Sequence, residues 1–137
     1  MSSHKNKTLA TFLAFSLGSL GAYRFYLRGV GDKWGWLHAI SLPISSALLP
    51  VTSKELTFFA LLPLVLSGLA GLLAALVLGL SSDEKFDARF NPNSGRTNDS
   101  KWPLAVVIVL SFGCGAIGLI GTIARTFDLL FTGGSFG

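Results

Sequence analysis

Residues 56–80 read LTFFALLPLVLSGLAGLLAALVLGL, a run of 25 residues without a charged side chain. A helix of about 20 residues crosses the hydrocarbon core of a bilayer, which is about 30 Å thick, so this run is long enough to span it. Residues 104–124, LAVVIVLSFGCGAIGLIGTIA, form a second uncharged run of 21 residues. Because every backbone N–H and C=O in hydrocarbon must be hydrogen-bonded within the protein, both runs are predicted to be transmembrane helices.

Two further apolar stretches, residues 8–27 and 34–51, precede these runs and carry weaker signals. The first contains Arg24 near its end, so a full span there requires the guanidinium to extend toward the headgroups. The second contains Pro43 and Pro50, which leaves a re-entrant or kinked segment as the alternative to a full span. With all four stretches counted, the sequence predicts an all-α membrane protein with four transmembrane helices in two hairpins.

The composition of the whole chain agrees with a membrane location. Of 137 residues, 50% are hydrophobic and 13% are charged, whereas soluble domains carry about 25% charged residues. This composition excludes a disordered chain, and the single Cys114, which we interpret as a small buried apolar residue, excludes a disulfide scaffold. The net charge of +4 is spread along the predicted membrane edges, which favours contact with anionic lipid over binding of nucleic acid.

The four predicted spans divide the chain into two hairpins. Residues 1–51 form the first hairpin, with its spans at 8–27 and 34–51. Residues 52–137 form the second, with spans at 56–80 and 104–124. The second hairpin also holds a polar loop at residues 81–103 and ends in a glycine-rich tail, residues 132–137, which we expect to be flexible.

The polar loop decides the predicted orientation. Ser81 and Glu84 have the spacing of a capping box, which predicts a short surface helix with Phe86 and Phe90 on one face.

Four spans place both termini on one side of the membrane and this loop on the other. The loop side carries seven lysines and arginines against four on the side of the termini, which favours cytoplasmic loops.

Residues 18–27 read GSLGAYRFYL and follow a lysine-led apolar stretch. This string resembles the TM-two domain family, membrane proteins named for two transmembrane helices joined by a short loop. The family's pattern is an apolar helix, a Leu-Gly-x-Leu-Gly stretch and then His-Arg-Phe-Tyr-Leu-Gly, and the match covers roughly residues 5–50. Tyr23 stands where histidine or aspartate is common and Arg28 where glycine is usual, while the Arg-Phe-Tyr core is intact. The resemblance implies a multipass membrane protein with a helix hairpin and assigns no catalytic residue.

The loop between the first two predicted spans combines cationic and aromatic side chains. Guanidinium groups bind phosphate or carboxylate through two parallel hydrogen bonds, and aromatic rings fix the depth of a segment at the membrane surface. We therefore predict that this loop recognises an anionic lipid headgroup or a partner protein. The candidate contact residues are Arg24, Phe25, Tyr26, Arg28, Lys33, Trp34 and Trp36. The alternative is that they only anchor the hairpin at the membrane surface.

Small residues recur at helical spacing in three of the predicted spans. They create smooth helix faces on which backbones can approach closely. The resulting dispersion contacts hold helices together in lipid, where the hydrophobic effect does not drive helices to associate. The candidate packing residues are Gly18, Gly21, Ser67, Gly71, Ala75, Gly79, Gly115 and Gly118. The same faces allow packing within one bundle or a contact between copies in a homo-oligomer.

Groups suited to catalysis or metal binding are sparse. The spans hold few ionisable residues, which argues against an ion pump or an ion-coupled carrier. The sequence has no metal-ligand cluster, phosphate-binding loop or dinucleotide fingerprint, so we expect no metal and no cofactor. His38 and Ser41 allow an intramembrane enzyme as an alternative, but no oxyanion hole or orienting group is visible. We therefore predict a protein that is not an enzyme and has no catalytic residue.

Together these features predict a non-catalytic integral membrane protein. It would act as an interaction or scaffold module that recognises a partner protein or anionic lipid through the loop between the first two helices. The alternative is a small transport or channel component, in which the glycine-rich third and fourth helices surround a path for an uncharged solute. We identify no cleavable presequence and no large extramembrane domain, which favours a bacterial inner membrane.

Overall fold

The computed structural model describes residues 4–93 and 95–134, apart from the side chain of Glu55. This part of the chain is helical and contains no strand, which confirms the predicted all-α class. Its six α-helices are α1 (Lys7–Leu17), α2 (Ala22–Arg28), α3 (Lys33–Leu48), α4 (Thr57–Leu80), α5 (Asp83–Phe90) and α6 (Trp102–Phe131). Short 3-10 turns lie at Gly18–Leu20, Leu49–Val51 and Lys54–Leu56. Of the predicted flexible tail, residues 135–137 lie outside the described residues.

Among the residues that the structure describes, two helices are long and apolar enough to cross a membrane, α4 and α6. They contain 24 and 30 residues, which gives lengths of about 36 and 45 Å. α6 extends the predicted segment 104–124 at both ends. The prediction of four transmembrane helices in two hairpins is wrong in its first half, because neither segment 8–27 nor segment 34–51 forms a helix of that length.

Segment 8–27 breaks in its middle. After α1 and a 3-10 turn, Gly21 adopts the left-handed conformation with φ of +76°, which glycine tolerates because it lacks a Cβ. A Cβ at Gly21 would lie 2.5 Å from the carbonyl oxygen of Gly35 in α3. The chain then reverses into α2, where the Tyr26 hydroxyl accepts a hydrogen bond from the Asn6 backbone N–H at 2.7 Å. The segment therefore runs part of the way along the molecule and returns.

α3 lies along the half of α4 that α1 does not reach. Its 16 residues measure about 24 Å, which is shorter than the hydrocarbon core of about 30 Å. The Ser45 hydroxyl accepts a hydrogen bond from the Leu64 N–H at 3.2 Å, which joins the second half of α3 to the first half of α4. α3 then gives way to a 3-10 turn that contains Pro50, a residue type without the N–H that continues an α-helix.

α4 is the central helix and contacts α1, α3 and α6. At its closest contact with the N-terminal segment, a Cβ added at Gly18 would lie 2.6 Å from the Cα of Gly71. Ala14 and Ala75, on the same contact, are buried. These small residues let the backbones approach closely, so that dispersion contacts hold the helices together.

Glycines also lie between α4 and α6. A Cβ at Gly79 would lie 2.6 Å from the Ile108 side chain of α6. In the opposite direction, Gly115 and Gly118 of α6 face leucine side chains of α4, at 3.7 and 3.2 Å from an added Cβ. These glycines therefore contact neighbouring helices of the same chain.

The N-terminal segment lies beside the loop that follows α4. The backbone N–H of Lys5 donates to the Asn91 side-chain oxygen at 2.5 Å, and that of Lys7 donates to the Asn98 side-chain oxygen at 2.9 Å. The predicted placement of the N terminus opposite the polar loop is therefore wrong, because α1 runs only part of the way and α2 returns. We call the end of the molecule that contains Lys7 and this loop the loop end.

The polar loop opens with α5, as the capping signal predicts, but one residue later. The Ser82 hydroxyl, and not that of Ser81, accepts the hydrogen bond from the Lys85 N–H at 3.2 Å. Ser81 is already engaged, since its hydroxyl donates to the Leu78 carbonyl at the end of α4 at 2.7 Å. The end of α4 and the start of α5 thus each use one of two consecutive serines.

Candidate functional site

An ion pair fixes the start of α5 at the loop end. Lys7 is 3% exposed, and its Nζ lies 2.9 Å from Asp83 Oδ1 and 2.5 Å from the Ser81 carbonyl oxygen. Ser100 also donates to Asp83 through its backbone N–H, at 2.9 Å, and through its hydroxyl. Burial alone would raise the pKa of Asp83, but the hydrogen bonds from Ser100 and Lys7 lower it to about 2.

A second carboxylate fixes the middle of α5. Asp87 accepts hydrogen bonds from the Asn98 backbone N–H at 2.7 Å and from the Asn91 side chain at 3.0 Å. The same two asparagines donate to the Lys5 carbonyl oxygen at 2.8 and 3.1 Å. Burial would raise the pKa of Asp87, and the hydrogen bonds from both asparagines lower it. Asp83 and Asp87 therefore hold α5 against the N-terminal segment.

With α5 held in this way, two arginines from separate helices meet at one aromatic ring. The guanidinium carbon of Arg28, from α2, lies 5.6 Å from the ring centre of Phe90, and that of Arg89 lies 5.3 Å from it. Phe86 is buried and lies 4.9 Å from Phe90, centre to centre. Both arginines are exposed, and within the described part of the chain neither forms an ion pair with a carboxylate. This pair of cations is the main candidate site.

Both arginines line a groove of about 280 Å³, and because both are exposed we call their end of the groove its mouth. Tyr23, Arg24 and Leu27 of α2 and Phe90 of α5 also line the groove. The lining residues from α4 are Ala70, Leu73, Ala74, Val77 and Leu78. The site therefore combines two exposed cations with a lining that is mostly apolar.

Arg24, the first of the predicted contact residues, is neutralised within the chain. Its Nε lies 2.5 Å and its Nη2 3.3 Å from the two carboxylate oxygens of Asp32. Asp32 also accepts a hydrogen bond from the Gly35 N–H at 2.8 Å, which caps α3. The hydrogen bond from Arg24 lowers the pKa of Asp32, with a further contribution from Gly35. Arg24 therefore links α2 to the start of α3, and its charge is balanced.

The predicted aromatic residues also contact their own chain. Phe25 and Trp36 form an edge-to-face pair with ring centres 5.2 Å apart. The Trp36 indole N–H donates to the Val30 carbonyl oxygen at 2.6 Å. A Cβ at Gly35 would lie 2.7 Å from the Phe25 ring, so glycine makes room for this ring at the start of α3. Phe25 and Trp36 thus close the connection between α2 and α3.

The remaining predicted contact residues lie apart from one another. Tyr26 contacts the N-terminal segment, where Lys5 Nζ lies 5.1 Å from its ring centre. Lys33 and Trp34 are exposed in the first turn of α3, and Trp34 lines a second groove together with His38. The structure therefore distributes the seven predicted residues over several contacts. It places two of them in the groove: Arg28, and Arg24 with its charge balanced by Asp32.

A polar chain lies about halfway along α4. The Tyr23 hydroxyl and His38 Nε2 are 3.0 Å apart, and His38 Nδ1 and the Ser67 hydroxyl are 2.7 Å apart. Ser67 donates to the Ser19 carbonyl oxygen at 2.7 Å, and Ser41 donates to the same oxygen at 3.2 Å. This carbonyl belongs to the break between α1 and α2, so the serines provide hydrogen bonds that a continuous helix would otherwise provide.

The same geometry bears on the alternative of an intramembrane enzyme. The hydroxyl of Ser41 donates to the backbone carbonyl oxygens of Ser19 and His38, at 3.2 and 2.6 Å. The His38 ring is hydrogen-bonded to Tyr23 and Ser67. A histidine base activates a serine by accepting its hydroxyl proton, whereas the Ser41 hydroxyl is directed to backbone oxygens and not to the His38 ring.

Sequence reasoning missed Arg89, Phe90 and Asp32 as members of these sites. The capping signal and the spacing of Phe86 and Phe90 predicted α5, but the meeting of α5 with α2 depends on residues far apart in the chain. No local pattern reports such a contact. An acidic residue near a predicted interfacial arginine was the one available signal for the Arg24–Asp32 pair.

Within residues 4–93 and 95–134, no group of three or more histidine, cysteine, aspartate or glutamate side chains is arranged to hold a metal ion. Comparison of the chain with protein-family models, curated proteins and solved structures gives no significant match. Membership of the TM-two domain family therefore stays a prediction, which depends on the string at residues 18–27.

Proposed function

We propose that this chain is a non-catalytic integral membrane protein that recognises an anionic lipid headgroup at its loop end. The observation that carries the proposal is the pair of exposed guanidiniums, from Arg28 and Arg89, beside the ring of Phe90. The membrane location, the multipass arrangement and the ligand are parts of this proposal, and separate observations support each of them.

The apolar surface of α4 and α6 supports a lipid environment. Leu73 and Val77 of α4 are 63% and 59% exposed, and Ile117 and Ile120 of α6 are 76% and 68% exposed. In water, apolar area is disfavoured by about 25 cal/mol per Å², and extended patches of this kind mark membrane or interaction surfaces. Lipid around α4 and α6 would remove that penalty.

The N-terminal segment is proposed to lie in the membrane as a discontinuous unit. Its backbone breaks at Gly21, and in hydrocarbon such a break is tolerated where protein groups satisfy the freed backbone. The serine hydroxyls that donate to the Ser19 carbonyl meet this requirement. In this arrangement α1 and α2 enter and leave at the loop end, and α3 reaches the opposite end.

The chemistry of the arginine pair favours an anionic headgroup. A guanidinium presents several N–H donors in a plane and binds phosphate through two of them. Arg28 and Arg89 lie at the loop end, where headgroups would surround the molecule if α4 crosses the bilayer. The apolar groove behind them favours a lipid over a partner protein as the source of the anion.

We also propose that the chain belongs to the TM-two domain family and lies in a bacterial inner membrane. The intact Arg-Phe-Tyr core of residues 24–26 supports the first, although in this fold Arg24 and Phe25 join α2 to α3. Fractionation of cells that express the full chain, with membrane extraction at high salt and at alkaline pH, tests the location. Release of the protein into the soluble fraction would contradict an integral membrane protein.

The experiment for the proposed function compares lipids that co-purify with the full chain in mild detergent. We expect anionic lipids to be enriched over the surrounding membrane for the wild type. The double variant Arg28→Gln, Arg89→Gln should lose that enrichment, because it removes both cations and keeps polar side chains of similar length. Lipid mass spectrometry provides the measurement.

The matched control is the double variant Lys33→Gln, Lys54→Gln, which removes the same charge from exposed positions outside the groove. It should retain the wild-type lipid profile. Equal loss in both double variants would assign the enrichment to net charge, and no enrichment in the wild type would contradict the proposed function.

The alternative of a transport or channel component has less support in this fold. It requires the glycines of α4 and α6 to surround a path, whereas Gly71 and Gly79 contact Gly18 and Ile108 of the same chain. Flux of an uncharged solute in proteoliposomes remains its direct test.

A further inference from the structure

We infer that the groove holds one glycerophospholipid as a stoichiometric ligand, with its phosphate between Arg28 and Arg89 and an acyl chain along α4. This inference rests on the proposed function and extends it. Recognition of anionic lipid requires only the cations, whereas a stoichiometric ligand requires a built site for the acyl chain as well.

The headgroup end of the site is assembled from two distant parts of the chain. Arg28 and Arg89 meet at Phe90, and the position of α5 depends on the ion pair and hydrogen bonds of Asp83 and Asp87. Both guanidiniums lie within 5.6 Å of the same ring centre. Like charges repel, so a bound anion that both contact would relieve the repulsion. The charge of the mouth is therefore complementary to a phosphate.

The groove behind the mouth is suited to a hydrocarbon chain. Its polar lining residues other than the two arginines already have partners, since Tyr23 bonds to His38 and Arg24 pairs with Asp32. The rest of the lining is aliphatic or aromatic. A polar ligand would thus find donors at the mouth alone, while an acyl chain fits the interior.

The apolar track continues beyond this groove. Ala70 and Leu73 also line a larger groove of about 490 Å³ between α4 and α6, which Leu66 and Phe112 help to form. From Val77 to Leu66 the exposed side of α4 rises by about 16 Å. The hydrocarbon of one leaflet is about 15 Å deep, half of the core. The track therefore matches the reach of an acyl chain whose phosphate stays at the loop end.

The test uses the full chain, purified in a nonionic detergent and stripped of lipid. The probes are dioleoylphosphatidylglycerol, dioleoylphosphatidylcholine and glycerol 3-phosphate, and native mass spectrometry measures stoichiometry and affinity. We expect one phosphatidylglycerol per chain, bound about tenfold more tightly than phosphatidylcholine. Both lipids carry the phosphate, but the choline cation of phosphatidylcholine is repelled by the two guanidiniums. Glycerol 3-phosphate should compete only at far higher concentration.

Two sets of variants separate the headgroup from the acyl chain. Arg28→Gln with Arg89→Gln should abolish the preference for phosphatidylglycerol over phosphatidylcholine. Ala70→Phe or, independently, Val77→Phe should weaken both lipids about tenfold, because each fills an exposed part of the track. Ala124→Phe, at an exposed position of α6 outside both grooves, is the matched control and should bind as the wild type does.

The outcomes distinguish this inference from the proposed function. If the wild type shows no preference for the anionic lipid, both fail. If the preference depends on the arginines but Ala70→Phe and Val77→Phe bind normally, recognition stands and the acyl-chain site is overturned. The acyl-chain site is also overturned if glycerol 3-phosphate competes as well as phosphatidylglycerol does. It is overturned too if the wild type is a dimer that Ala70→Phe dissociates, because a second copy would then occupy the groove. Thermal unfolding of each variant confirms that it is folded.

Discussion

At the scale of single residues, two arginines of one short helix have different roles. Arg24 and Arg28 are four residues apart, and both were expected to face headgroups. Asp32 neutralises Arg24, whereas Arg28 lies beside Arg89 and Phe90. The sequence predicted a position near a membrane surface for both arginines. The partner of each arginine could not be predicted. For Arg24 it depends on the turn between α2 and α3, and for Arg28 it depends on the position of α5.

Asp83 is predicted to make stability depend on pH at the same scale. Its pKa is about 2 in the fold, against an ordinary value of 3.8, so its stabilisation is present above 3.8. As pH falls through this range toward 2, the unfolded chain binds the proton first and the stabilisation, about 2 kcal/mol, is lost. Asp83→Asn should lower the thermal midpoint near neutral pH and flatten its decrease in acid, as measured by circular dichroism in detergent.

The control for this prediction is Asp99→Asn, which changes an exposed carboxylate of the same loop. It should leave the acid profile of the wild type in place. An Asp83→Asn variant with the same acid profile as the wild type would show that the Lys7–Asp83–Ser100 contacts do not control stability.

At the scale of helices, the break between α1 and α2 is the main departure from expectation. Hydropathy reports that residues 8–22 are apolar, and that signal is the same for a continuous helix and for one that reverses. The reversal depends on Gly21 and on the passage of α3 beside it. The sequence predicted that Gly18 and Gly21 pack against other helices. A glycine that is needed for its positive φ looks the same in a sequence as a glycine that is needed for packing, so the role of Gly21 in the break could not be predicted.

Gly21→Ala is predicted to destabilise the fold more than Gly95→Ala. Both glycines have positive φ, at +76° and +71°, which disfavours alanine at each by about 1 kcal/mol. Only at Gly21 would the new Cβ also collide with backbone, 2.5 Å from the Gly35 oxygen, whereas at Gly95 no atom lies within 4 Å. Thermal midpoints of the two variants in detergent measure the difference, and equal midpoints would contradict the close approach of α2 and α3.

At the scale of the whole molecule, topology separates the observed arrangement from four complete spans. Both place Ser53 and the loop residue Asn93 at opposite ends. They differ in the N terminus, which lies beside Asn91 and Asn98 of the loop in this fold. With four complete spans it would lie on the side of Ser53. The distinction is open to direct measurement.

Accessibility in sealed vesicles is the corresponding prediction. Cys114 is exposed on α6, and not buried as predicted, so it is first replaced by serine. In this Cys114→Ser background, Asn93→Cys and Ser53→Cys should react with a membrane-impermeant maleimide from opposite sides. An N-terminal tag should be cleaved by protease from the side on which Asn93→Cys reacts. Cleavage from the side of Ser53→Cys would restore four complete spans and reject the return of α2 to the loop end.

The sequence by itself determined the helical class, the two long apolar helices, the short helix α5 and the small residues at which helices meet. Hydrophobicity, charge and capping are properties of neighbouring residues, so local patterns report them. Only the tertiary structure decided that the chain reverses at Gly21 between α1 and α2, that Arg24 is neutralised, and that Arg28 and Arg89 lie against the same ring of Phe90. Those outcomes depend on contacts between residues distant in the chain, such as Lys7 with Asp83 and Gly18 with Gly71. The candidate lipid site exists only after these contacts bring α2 and α5 together over α4.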